Sequence, residues 1–264
     1  MNKFSQGLGV ALGSLGLGLS QAAQAVENLT PVSATATIDW SKLQLSVTGV
    51  TATVPTVVFS NYNTSLSSSS TSAGGNESHS VTRNDWTSTA HTNTSAGASL
   101  ANGLASSEIF SGTASAVETG SVVSSSGTRS VGFSFDGPGM LTFSVPYTIS
   151  LTGMTSVCCY SDTAFVNGSA NFYSSTNGGS SNSSSSASFS IDSYGDLSST
   201  SRAGNLVFGI VASDAGTGSL SVGFNASAHG AVVAVPEPES YAMLLAGLGL
   251  MGAVVQRRKK MGAV

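Results

Sequence analysis

The chain has 264 residues and a formal net charge of −4, with only 8% charged residues but 52 Ser and 25 Thr. A soluble domain is ordinarily about a quarter charged, so hydroxyls replace charges here as the source of solubility. The length admits one ordinary domain plus accessory segments. Between Val26 and Val235 eleven acids stand against four bases, which argues against a nucleic-acid binder, because that function needs Lys and Arg to neutralise phosphates.

The first 25 residues place Lys3 before an apolar run from Leu8 to Leu19, followed by Ala23-Gln24-Ala25. A charged start, an apolar stretch of roughly 7–15 residues and an A-x-A site are the three parts of a secretory signal peptide. Cleavage by signal peptidase is expected after Ala25, with Ala23 and Ala25 as its small-residue site.

Residues 26–234 form the exported part, and from Thr35 onward apolar residues alternate with polar ones, the period of half-buried strands. The expected fold class is all-β, a β-sandwich or jelly-roll-like domain with long Ser/Gly-rich loops, flanked by the signal helix and a short C-terminal membrane helix. Strands are expected at Ile38–Val47 with a phase slip near Lys42, Thr53–Phe59, Ala164–Tyr173, Ala187–Ile191, Leu206–Ala212, and Leu220–Phe224 leading into Ala231–Val235. Val131–Phe135 and Leu141–Leu151 read as a hairpin closed by Asp136-Gly137-Pro138-Gly139, with Pro146 marking an edge or a bulge. Ser65–Ser80 and Ser174–Ser188 read as flexible loops, and residues 61–127 as a polar, loop-rich region with weak strands as the alternative.

No catalytic motif is found, and the chain is read as a non-enzyme without a cofactor. His79, His91 and His229 read as solvated residues. Asp192 and Asp196 frame a turn, for which calcium binding and paired-acid glycoside hydrolysis are the functional alternatives. Cys158-Cys159 is the unusual feature, since adjacent Cα atoms lie closer than a relaxed disulfide spans. An idle pair or strained vicinal bridge, an intermolecular disulfide, and metal or redox chemistry all stay open. Trp86, Tyr160, Tyr173 and Tyr194 are candidates for stacking on sugar rings. Thr35/Thr37, Thr51/Thr53, Thr87/Thr89 and Thr92/Thr94 put hydroxyl pairs on one face of an extended chain without a fixed repeat.

The C-terminus reads Val235-Pro236-Glu237-Pro238-Glu239-Ser240, an apolar stretch 241–255, then Arg257-Arg258-Lys259-Lys260. The prolines hold an accessible, extended segment. The apolar stretch is short against the roughly 20 residues of a stable span, and the basic cluster keeps its side cytoplasmic. Residues 235–260 resemble the PEP-CTERM sorting tail of exported proteins in Gram-negative bacteria, a tail type also found on some ice-binding proteins. Pro236, Glu237 and Pro238 match its motif, 241–255 its membrane segment, and Arg257, Arg258, Lys259 and Lys260 its basic stop. The resemblance implies processing by an exosortase-type enzyme, a transient inner-membrane intermediate, and delivery to the cell surface or an exopolysaccharide-rich biofilm matrix. The expected function is accordingly an exported surface or matrix protein; a carbohydrate-binding module is the alternative, and a glycan-acting hydrolase a weaker one.

Overall fold

Alternating small or apolar and polar residues form thirteen strands among the residues that the computed structural model describes, namely 31–50, 53–153, 161–176, 179–193, 199–230 and 244–252. In chain order these are β1 (Val32–Asp39), β2 (Gln44–Gly49), β3 (Val57–Ser72), β4 (Gly75–Arg83), β5 (Ala90–Ala96), β6 (Ser99–Ala105) and β7 (Ile109–Ala116). They continue as β8 (Val122–Phe135), β9 (Gly139–Thr152), β10 (Thr163–Thr176), β11 (Gly179–Asp192), β12 (Thr200–Ala212) and β13 (Gly216–His229). Every pairing is antiparallel. One sheet runs β12-β9-β1-β7-β6-β5 with β2 beside β9, and the other β11-β10-β13-β8-β3-β4. Residues 232–264 form a separate compact unit, of which residues 244–252 are helical.

The inward side chains of both sheets belong to one core. Phe110 of β7 meets Phe224 of β13 edge-on at 4.7 Å, and Tyr147 of β9 stacks on Phe189 of β11 at 4.9 Å. Each such side chain, once buried, contributes about 1.5–3 kcal/mol. Close approach is permitted by missing side chains: a Cβ on Gly112 or Gly127 would run into Phe224, and one on Gly168 into Phe208.

The core changes character along its length. Around β9, β10, β12 and β13 it holds Phe, Leu, Ile and Val, whereas under β5, β6 and β7 it holds Ala90, Ala101, Ala105, Ala114 and Ala116 beside buried Thr92, Thr94, Ser68, Ser70 and Ser125. The hydroxyls of these five Ser and Thr have no hydrogen-bond partner among the described residues.

Three expectations are corrected here. Ser65–Ser80 and Ser174–Ser188 are not loops: the first spans the β3–β4 hairpin and the second lies in β10 and β11, paired over Thr163–Thr176 and Gly179–Asp192. Ser68 and Ser70 of β3 are buried, and Ser183 and Ser185 of β11 accept from the main chain of β12, so strands persist without a strong hydrophobic alternation. The region 61–127 is likewise mostly β3 to β8.

Secondly, β8 and β9 do not form a hairpin. They lie in different sheets, and Asp136 is tied instead to Thr56, whose N–H donates to its Oδ1 at 2.7 Å. Tight two-residue hairpin turns need positive φ. Gly75 and Gly97, in or beside the β3–β4 and β5–β6 turns, have it, while Gly137 and Gly139 do not.

Thirdly, Pro146 is not on an edge. β9 pairs with β12 along one side; along the other, β2 reaches Ser144 and β1 begins at Tyr147. Pro146 therefore sits where one partner has ended and the next has not begun, opposite the 3-10 turn Trp40–Lys42. That turn is the phase slip expected near Lys42.

Arg129 of β8 is fully buried between the sheets. Its Nη2 donates to the carbonyls of Trp86 (3.1 Å) and Ser106 (2.9 Å), and its guanidinium lies over Trp40 (4.6 Å) and Phe110 (5.0 Å). Nε and Nη1 have no hydrogen-bond partner among the described residues. Burial lowers its pKa to about 10, against which the charge of Asp85 works, so it stays charged at neutral pH. Asp85 in turn folds the segment that presents the Trp86 carbonyl: its carboxylate accepts from the Ser88 and Thr87 N–H groups and from both hydroxyls. These bonds, from Ser88 first, hold its pKa down at about 2 against an ordinary 3.8.

Two measurements follow from this packing. Thr92→Val keeps the side-chain shape and removes a partnerless buried hydroxyl, so urea unfolding is expected to show a gain of about 1 kcal/mol; a loss would mean that Oγ1 is satisfied. For Asp85 the folded pKa lies below the unfolded one, so its contribution is present above about pH 4 and disappears as pH falls through 2. The stability difference between the wild type and Asp85→Asn should thus be constant near neutrality and close over that interval, and a difference that persists at pH 2 contradicts it.

Candidate functional site

The outward face of the second sheet carries the feature most suited to binding. Strand register aligns Asn182, Tyr173, Thr217 and Ser134 across β11, β10, β13 and β8, and Ser184, Asn171, Ser219 and Gly132 in the next row. Further rows centre on Ser169, Asn167 and Phe165. No Asp, Glu, Lys, Arg or His occurs in these rows. Rows repeat at roughly 6.6–6.8 Å along the strands and strands at about 4.8 Å, which makes a plane of hydroxyls and amides.

Two aromatic residues stand out from this plane. Tyr173 is 54% exposed and Phe165 36%, and eight residues of extended chain separate them by roughly 27 Å. Tyr173 lines a shallow groove of about 310 Å³ with Asn171, Asn182, Thr217 and Ser219. An exposed ring face beside amide and hydroxyl groups of both donor and acceptor type matches a ligand that is apolar on one face and hydroxylated at its rim. A charged ligand finds no counter-ion among those five residues.

The other sheet has a comparable hollow of about 370 Å³ over β5, β6 and β7, lined by His91, Asn93, Asn102, Leu104, Ser111 and Thr113 among others. It offers no Phe, Tyr or Trp ring. Thr35 and Thr37 face outward from the same sheet, aligned with Thr113 and Ser111, whereas Thr92 and Thr94 are buried.

The remaining sequence candidates separate cleanly. Trp86 is not a free stacking platform: it packs edge-on against Trp40 (5.1 Å) and Tyr62 (5.0 Å), and its Nε1 donates to the Asn63 carbonyl. Asp192 ends β11 and accepts from the Ser190 hydroxyl. His79 and His91 are exposed, but His229 is not a solvated residue. Its backbone N–H donates to Oδ1 of buried Asp162 at 2.8 Å and its Nδ1 lies 3.3 Å from the same oxygen. Ser193 donates to the other carboxylate oxygen. The order is therefore Ser–Asp–His, with the acid in the middle, and not the nucleophile–base–acid order of a hydrolytic triad. The Asp162 grouping escaped the sequence because 31 and 67 residues separate its members.

Ala23, Ala25, Cys158, Cys159, Tyr160, Tyr194, Asp196, Pro236, Glu237, Pro238, Arg257, Arg258, Lys259 and Lys260 lie outside the described residues. Among the described residues no helix is long and apolar enough to cross a membrane.

Residues 234–259 match the PEP-CTERM protein-sorting motif. The match contains Pro236, Glu237 and Pro238, the apolar stretch, and Arg257, Arg258 and Lys259, and it implies export, sorting toward the cell surface and processing by an exosortase-type enzyme. No curated protein and no solved structure matches the chain.

Proposed function

We propose that the chain is a non-catalytic surface protein, a β-sandwich delivered through the general export route of a Gram-negative bacterium and displayed among extracellular polysaccharides. In this reading signal peptidase removes residues 1–25. Residues 241–255 hold the chain briefly at the inner membrane, with Arg257–Lys260 on the cytoplasmic side, until an exosortase-type enzyme acts near Pro236–Pro238. The displayed part is a neutral-glycan binder. The observation that carries this is the Tyr173 ring, exposed among Asn171, Asn182, Thr217 and Ser219 on a face whose central rows hold no charge. Sugars stack an apolar ring face on aromatics and satisfy their hydroxyls through amides and hydroxyls, and an uncharged polysaccharide meets no desolvated ion there.

The route is tested by intact mass and fractionation of the native protein with and without exosortase. Loss of both termini and recovery outside the inner membrane only when the enzyme is present is the expected result. A chain that keeps residues 241–260 in both strains argues for a permanent anchor. For binding, retention on neutral polysaccharides is expected to fall about fivefold for Tyr173→Ala, which removes a stack of roughly 1 kcal/mol, and to survive in Tyr173→Phe. Equal retention of the alanine variant, or preference for polyanionic glycans, contradicts the site.

A further inference from the structure

Sheets end in strands whose outer N–H and C=O groups lack a partner, and proteins ordinarily guard such edges with charge, shortness, bulges or cover. Four edges of this fold are guarded. Two outer amides of β12 are taken by β11 side chains: Gly209 N–H donates to Ser185 Oγ at 3.4 Å and Val211 N–H to Ser183 Oγ at 3.1 Å, and the exposed first half of β12 carries Arg202. At the opposite end of the same sheet β5 is seven residues long, and its Ser95 N–H donates to Glu77 of β4 at 2.7 Å. β4 itself carries Glu77, His79 and Arg83, and β2 has six residues.

β11 has none of these devices. It runs fourteen residues, Gly179–Asp192, with unbroken register against β10, and among the described residues it pairs with no strand on its other side. It contains no proline and no charged residue before Asp192.

We infer that the free edge of β11 is a strand-addition surface for a second copy of this chain, laid antiparallel to itself about a two-fold axis. Self-pairing closes the interface, because each copy uses the one edge that carries none of these devices among the described residues. It also brings no like charges together: centred on Ser186, the register sets Asp192 opposite Ser180 of the other copy. The two six-stranded sheets become one twelve-stranded sheet, and the half-buried Ala187, Phe189 and Ile191 at its edge lose further surface to water. The outward rows around Tyr173 continue across the junction, so a pair of chains presents a doubled plane.

The test is sedimentation equilibrium of the whole exported chain over a range of concentrations. A reversible dimer is expected for the wild type. Ser184→Lys/Ser186→Lys/Ser188→Lys, three outward positions that face their counterparts across the axis, should raise the dissociation constant at least tenfold, since like charges directly opposed across strands repel. Lysines at Ser78 and Ser80 on the outward face of β4 should leave it unchanged. A second readout needs no variant: amide exchange of residues 180–192 should slow as the wild type is concentrated. A wild type that stays monomeric to millimolar concentration, a dimer that the β4 lysines weaken as much, or exchange in β11 that ignores concentration overturns the inference.

Discussion

Arg129 is the joint on which the two sheets depend. A cation with no exposed surface ordinarily carries a desolvation cost of several kcal/mol, and here it is met by two carbonyls and two aromatic faces rather than by a carboxylate in contact. Those four groups come from far apart in the chain. Trp86 follows β4, Ser106 follows β6, Trp40 lies between β1 and β2, and Phe110 is in β7. One side chain on β8 therefore fixes where connections from both sheets cross the end of the core. The same cluster places Trp86 against Asn63 and Tyr62, next to the bulge in which Asn61 adopts a positive φ of 56°. Asn is among the few residues that tolerate this conformation, so the bulge and the arginine pocket are one construction.

The lateral margins use a second device. The two antiparallel sheets, with β2 a further partner of β9, expose five edge strands, and here side chains at one sheet's margins bond to the other's main chain. Ser183 and Ser185 accept from β12 on one side, and Glu77 accepts from β5 on the other. Serine suits this task because its short hydroxyl both donates and accepts and costs little rotamer entropy to fix. A chain with 8% charged residues has few ionic means of blocking an edge, and hydroxyls take over part of that work as they do for solubility.

The all-β class and parts of β1–β3 and β8–β13 were legible from alternation, because Phe, Leu, Val and Ile at every second residue leave only one way to bury a face. The failures share a cause. Where the inward residues are Ser, Thr and Ala, as in β3, β5 and β11, inward and outward faces differ too little in hydropathy for the period to show, and strands read as loops. Turn chemistry was the better signal. Asn177-Gly178 between Thr176 and Gly179 is a strong two-residue hairpin pattern and would have revealed β10 and β11, whereas Asp136-Gly137-Pro138-Gly139 contains turn residues in an order that does not require a primed turn. The irregularities at Lys42 and Pro146 were visible separately, but that they are one gap in the ladder beside β9 depends on long-range register.

The same distinction separates the two parts of the function. The sorting tail is recognised as a linear stretch, so its motif is complete in the sequence and Pro236, Glu237 and Pro238 could be named from it. The face proposed to bind glycans is built across strands: Tyr173 has Asn182 on one side and Thr217 on the other only because β10 pairs with β11 and β13 in that register. Tyr173 was a plausible platform from its chemistry, but so was Trp86, and burial alone divides them. A shift of β10 by one residue would carry Tyr173 into the core and Phe172 to the surface. The proposed binding surface is thus specified by the apolar face behind it, through Phe172, Ala170, Val166 and Ala164, all buried, more than by the polar residues that would touch the ligand.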